Sequence, residues 1–575
     1  MVWLLMHAFP RYRPDLTRCL DGAWEFAFLG EVDEPETLDV SKIATPDRLA
    51  VPGVFDACPA WAGRRGVGVL RTFVEVTAGR SAQLRFDGLG LWCKLYVDGR
   101  PVGTHDLPYS GWSVMLPPST ESRRTIELVI DNRLDKKRTP LVEPYFDFYL
   151  YGGVYRPVLL RELVGPSIEQ ARITVLDRVA GRIHIVADAF EAVPSGTALS
   201  VRFDDGPVME IADVNWNGRS VDFEMDVPNA TAWTPDAPHL HVLTLRLGED
   251  ELVTRFGLRD FRVDGPRLLL NDQPIKLHGF CRHESHPQFG PALPHAQLIQ
   301  DIQLLADMGC NFVRGSHYPQ DPRFLDLCDE HGLLVFEESL GWQPQPEHFV
   351  ADAFCDRVEA QTRRMIRSSY NHPSVVMWGF LNEGRTETPE SAPLYERLVA
   401  AVRREDSTRP VTFASNHPFD DINLALPDIV SINMYPGWYS NPEAGPRPLE
   451  KIVPAIERVL DRMAELGVDD RPFIVSEIGA GAIYGWRDAH RAHWSEEYQA
   501  DLLRLVCNKV IQDDRIAGVS LWQYCDGRTY DDGMAIKRPR GFNNKGVLDE
   551  YRRPKLAAEV VRAAFRGESI RIFEP

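Results

Sequence analysis

Residues 371–384 read NHPSVVMWGFLNEG, and the fold of the chain turns on this stretch. Val375 to Leu381 is an unbroken apolar run with β-branched and aromatic residues, the pattern of a strand buried on both faces. Strands of that kind belong to parallel sheets covered by helices. The flanking sequence supplies both. From residue 263 onward, IKLHGF, NFVRG, LLVFEES, VVMWGFLNE, PVTFASN, IVSINMY, PFIVSE and GVSLWQY alternate with amphipathic stretches such as HAQLIQDIQLLADMG and AFCDRVEAQTRRMIRSSY. Eight such strands over about 300 residues are the count and length of a (β/α)8 barrel, a fold that places its chemistry where the strands exit. Glu383 stands at that exit on the fourth strand. A carboxylate there is costly unless it has a partner.

Upstream of the barrel the pattern changes to short alternating strands. AQLRFDGLG, CKLYVDGRPVG and RTIELVIDN are separated by Gly, Asp and Pro, and Asp98-Gly99 is a hairpin signal. Residues 1–165 are expected to form a jelly-roll β-sandwich. Residues 166–262 continue in about seven short strands, which fits an immunoglobulin-like sandwich. Residues 263–575 are the expected barrel domain.

Composition narrows the function. The 575 residues carry 64 basic and 83 acidic side chains, a net charge of −19, which argues against nucleic acid as a partner. No segment approaches the roughly 20 apolar residues of a membrane span. The nine cysteines are scattered without a CxxC, so reduced thiols and a cytoplasmic location are expected. The opening MVWLLMHAFPRYR has no basic region and no small-residue cleavage site, and reads as mature protein. No metal site is expected, since the barrel's His and acidic residues lack the HExxH pattern. No cofactor is expected either, and a homo-oligomer is the expected assembly.

The seventh strand, RPFIVSEIGAG, also ends in a glutamate, Glu477. One strand-end glutamate fits a capping role equally well, but two on one barrel mouth fit a catalytic pair. Glycoside hydrolysis needs two carboxyl groups, one protonated and one ionised. NHPSVVMWGFLNEG resembles the acid/base signature of glycoside hydrolase family 2, and VSEIGAG its nucleophile region. FVRGSHYPQDPRFLDLCDEHGLLVFEES is similar to that family's second and third barrel strands, and YLYGGVYRPVLL to the exit of its first β-domain. The resemblance covers nearly the whole chain. It implies Glu383 as general acid/base and Glu477 as nucleophile of a retaining enzyme.

The family includes several sugar specificities, so the fold alone does not select one. In RPRGFNNKGVLDEYRRPK (538–555), Asn543-Asn544-Lys545 looks like the Asn-x-Lys motif by which the family's β-glucuronidases hold the C6 carboxylate. An ammonium and an amide clamp a carboxylate through charge-assisted hydrogen bonds. The resemblance further implies Tyr439 at the carboxylate, with Asn433 and Tyr435 lining the sugar site. It also implies Asp147 reaching a hydroxyl from the first domain, His283 in the site and Asn382 on the 2-hydroxyl. Trp522 would form the apolar floor. The expected activity is exo-hydrolysis of terminal β-D-glucuronides from a carbohydrate or conjugate. A β-galacturonidase or β-galactosidase is the alternative, and a non-catalytic carbohydrate-binding protein the remote one. Two departures stand out. The arginine that often precedes Asn-x-Lys falls on Pro539, between Arg538 and Arg540, so no arginine is assigned to the carboxylate. The segment from Glu338 to Asn371 is too short for a long lid-like loop, which argues against small drug-like glucuronides as preferred substrates.

Overall fold

The computed structural model describes residues 8–135, 137–141, 147–211, 216–439, 449–530 and 538–568. The eight apolar stretches form β1 (Leu277–Arg282), β2 (Phe312–Gly315), β3 (Leu334–Glu338), β4 (Val375–Asn382), β5 (Val411–Ser415), β6 (Val430–Asn433), β7 (Phe473–Ile478) and β8 (Gly518–Leu521). They pair in sequence order and close into one barrel, with β1 parallel to β8. Every residue of β4 is buried, as its unbroken apolar run requires. Local signals set the helix ends. In helix Pro322–His331, Asp321 accepts from the Arg323 amide, Pro322 takes the first turn, and Gly332 at φ 70° closes it.

The first sandwich packs a six-stranded against a four-stranded antiparallel sheet around Trp24, Phe26, Phe86, Leu95 and Leu128. Asp98 and Gly99 both have positive φ, 51° and 72°, as a two-residue hairpin turn needs. The second sandwich sets strands Ile168–Asp177, Arg182–Ala189 and Ser220–Asp226 against a five-stranded sheet. One strand of that sheet is Arg11–Tyr12, with Tyr12 opposite Leu252 and its ring in the second core. The expectation that the first sandwich begins at residue 1 is therefore corrected for this strand. Two residues are too few to show any hydrophobic period.

Two contacts bring the first sandwich to the barrel mouth. Tyr109 stacks on Tyr318 with ring centres 3.7 Å apart, and buried Arg156 meets buried Glu284 at 3.0 Å. The same region delivers Asp147 and Phe148 to the barrel opening. After β8, Gly527–Arg528 pairs with Phe542–Asn543, and the returning chain keeps Asn544 and Lys545 buried.

Candidate active site

At the exit of β4 the backbone leaves the extended region. Leu381 and Glu383 have φ of 46° and 52°, a left-handed conformation that costs about 1–3 kcal/mol per non-glycine residue. Two hydrogen bonds hold it there: Asn382 N to Gly341 O at 2.7 Å and Glu383 N to Ala414 O at 2.9 Å. The turn presents the Glu383 carboxylate to the cavity. Its Oε1 accepts from Asn433 Nδ2 at 3.0 Å and its Oε2 from Gln343 Nε2 at 2.9 Å.

Glu477, on β7, lines the same cavity. Its Oε2 accepts from the Tyr435 hydroxyl at 2.6 Å and its Oε1 from Arg314 Nη1 at 3.0 Å. Arg314 is a fully buried guanidinium on β2 that also reaches Glu338 at 2.6 Å and Asn382 Oδ1 at 2.8 Å. Burial, and after it the charge of Glu383, push the Glu477 carboxyl up to about 8, while Arg314 and Tyr435 pull it down. Two carboxylates that repel in a dry site share a proton, and the titration belongs to the pair. Burial pushes His317 down; its Nδ1 meets Glu338 Oε1 at 2.8 Å and its ring stacks on Trp522 at 5.2 Å.

The cavity measures about 850 Å³. One end is cationic. Lys545, 1% exposed, donates from Nζ to the Tyr439 hydroxyl at 2.7 Å. Arg538 donates to the same hydroxyl at 3.2 Å and forms a two-pronged ion pair with Asp147, whose Oδ2 also accepts from Asn543 Nδ2 at 2.9 Å. Among the described residues Lys545 has no carboxylate within ion-pair reach. Among the described residues, two cations, Lys545 and Arg538, therefore face the carboxylate of Asp147 at this end. Burial, opposed by Tyr439 and Asp147, pulls the Lys545 ammonium below its usual value, which an incoming anion would reverse.

Glu383, Glu477, Asn433, Tyr435, Tyr439, Trp522, Asp147 and Lys545 all line this cavity. Asn382 lies immediately behind, its Nδ2 buried with no hydrogen-bond partner among the described residues. Asn543 also sits one step back and acts through Asp147. His283 does not reach the cavity wall. It packs edge-on behind Trp522 at 5.4 Å and over Phe148 at 4.8 Å, with Nδ1 on the Tyr318 hydroxyl at 3.2 Å. Its expected place in the site is corrected to a supporting layer, because Trp522 occupies the wall. Arg314, Gln343 and Arg538 were absent from the expected set. An arginine inside the buried strand FVRG was a readable signal, since such a charge needs partners. Gln343 lies in a loop and Arg538 among other basic residues, where spacing carries no such signal. Among the described residues one His/acid cluster has metal-ligand spacing, Asp326–Asp329–His372. It lies on the opposite face of the barrel, where Arg255 already meets Asp326 at 3.0 Å.

Residues 261–569 match the family model described as glycosyl hydrolases family 2, TIM barrel domain. The chain is 29% identical over 507 residues to a β-glucuronidase of Paenibacillus borealis, covering 82% of each chain. It is 28% identical to the β-glucuronidase of Mus musculus, over 78% of this chain and 69% of that one. Among solved structures it superposes on a family 2 β-galacturonidase from Eisenbergiella tayi bound to galacturonate, with a TM-score of 0.88 and 31% identity, over 98% of this chain and 99% of that one.

Proposed function

The chain belongs to glycoside hydrolase family 2, and on that premise we propose that it is a retaining exo-β-glucuronidase. The observation that carries the sugar assignment is the cationic end of the cavity, where, among the described residues, Lys545 and Arg538 face one carboxylate, Asp147. A uronic acid brings the missing negative charge; a neutral sugar would leave the buried ammonium uncompensated. The relatives named β-glucuronidase support the same reading.

The chemistry follows from the two glutamates. The Glu477 carboxylate attacks the anomeric carbon while Glu383 passes its proton to the glycosidic oxygen. The bond from carbon to the leaving oxygen breaks as the glycosyl ester to Glu477 forms. Arg314 and Tyr435, one on each Glu477 oxygen, favour the anion at that carboxylate, the form in which it attacks. Esterification removes the Glu477 charge. Glu383 then accepts a proton from water, which attacks the same carbon and frees Glu477. Asn382 Nδ2, buried and unpartnered among the described residues, is the donor available to the sugar's 2-hydroxyl. Trp522 forms the apolar floor.

A β-galacturonidase is the second reading, favoured by the 31% identity to such an enzyme over nearly the full length. Lys545 and Arg538 read a carboxylate and are indifferent to the C4 epimer. We also propose a cytoplasmic location, supported by nine free cysteines. A panel of p-nitrophenyl β-glucuronide, β-galacturonide, β-galactoside and β-mannoside tests the assignment. The glucuronide should give the highest kcat/KM. A faster galacturonide selects the second reading, and a faster neutral glycoside overturns both.

A further inference from the structure

Lys545 is a flexible side chain, yet its ammonium must meet a carboxylate within a few tenths of an ångström. Something must therefore fix the backbone that carries it. The neighbours on both sides of Lys545 are tied to one buried ion pair. Asp526 and Lys555 are both fully enclosed, with Nζ 2.7 Å from Oδ1. Asp526 accepts from Asn544 Nδ2 at 3.1 Å and from the Gly546 amide at 2.9 Å. Lys555 donates to the Asn544 carbonyl at 3.0 Å.

The third ammonium proton goes to the Ala482 carbonyl at 2.8 Å. That residue lies five positions after Glu477 on the same returning chain, and Ala482 N donates back to Asn544 O at 2.9 Å. All three donors of Lys555 are thus used. One links it to Asp526, one to the Lys545 segment, and one to the loop leaving the nucleophile strand. Glycine is required at 546, where a Cβ would lie 2.3 Å from Asp526 N. Lys555 itself touches neither cavity nor glutamate. It precedes helix Leu556–Phe565, whose first amide is held by Glu496 Oε2 at 2.6 Å.

We propose that Lys555, paired with Asp526, is a positioning residue for the reaction: it sets Lys545 against the substrate carboxylate at a fixed distance from Glu477, and so determines selectivity for uronides. The inference rests on the uronate reading above. It assigns to a buried, non-contacting lysine a share of specificity that a packing role would not confer.

The test compares Lys555→Met with the wild type on p-nitrophenyl β-glucuronide and p-nitrophenyl β-glucoside. Lys545→Ala runs alongside. Because Lys555→Met strands the buried Asp526 charge, the double variant Asp526→Asn/Lys555→Met is measured too; removing both charges of a buried pair is tolerated far better than removing one. In both Lys555 variants kcat/KM for the glucuronide should fall on the order of 10²-fold and that for the glucoside by less than about fivefold, because only the uronide uses the misplaced ammonium. An equal fall on the two substrates, or an unchanged ratio, overturns the inference and makes Lys555 purely structural. Failure of the uronate reading looks different: the ratio would then survive Lys545→Ala itself, and the inference would fall with it.

Discussion

Replacing Lys545 by alanine tests the sugar assignment directly. The ammonium is buried, stands 2.7 Å from the Tyr439 hydroxyl, and faces the rings of Tyr439 and Tyr435 at 4.8 and 5.3 Å. Its loss removes one of the two described cations at this end, with Arg538 still engaged by Asp147. A hydrogen bond to a charged group is worth about 1.5–3 kcal/mol, and an underpaired buried carboxylate costs about 1–3 kcal/mol more. Together these amount to about 2.5–6 kcal/mol. At about 1.36 kcal/mol per decade, kcat/KM for a β-glucuronide should drop on the order of 10²–10⁴-fold. A β-glucoside never engages that charge and should lose less than about tenfold. Initial rates on the two p-nitrophenyl glycosides, with the variant's folding checked by circular dichroism, supply the measurement. A fall by the same factor on both substrates would refute the reasoning, since it would mean that Lys545 supports the fold and not the carboxylate.

Glu477→Ala should abolish turnover of every glycoside, whereas Glu383→Ala should retain glycosylation with good leaving groups and respond to azide; wild-type-like rates in either variant would sink the pair. Early NMR spectra of the reaction should show β-glucuronic acid before mutarotation, and an initial α product would mean inversion. Glu383→Gln removes the like charge beside Glu477, so the Glu477 titration should move down from about 8, read by ¹³C or infrared titration. Because the folded Glu477 value lies above the usual 4.5, its protonated form stabilises the fold at low pH and that contribution is lost as pH rises towards about 8. Glu477→Gln should therefore gain Tm relative to wild type between pH 5 and pH 8; a constant difference would contradict the shift.

The barrel was legible in the sequence because its information is local. Eight apolar runs of strand length, separated by helical periods, leave few other ways to bury them, and all eight became barrel strands. The placement of Glu383 and Glu477 at strand exits followed from the same periods. The Asn-x-Lys resemblance pointed to Lys545 without any knowledge of its surroundings. The Arg11–Tyr12 strand escaped because two residues show no period, and His283 was misplaced because a sequence does not say which of two aromatic layers meets solvent.

What only the tertiary structure decided is which charges neutralise which. Arg538 meets Asp147 across 391 residues, and Arg314 meets Glu477 across 163. Lys555 closes on Asp526 at the back of the loop that carries Lys545. In a low-dielectric interior the state of each charged group depends on distances of a few ångströms to its partners. Hydrophobic periodicity carries no information about those distances, since it records only which face of each element is buried. The sequence alone therefore determined the scaffold and the pair of carboxylates at its mouth. The closed fold determined that, among the described residues, one end of the cavity sets Lys545 and Arg538 against Asp147.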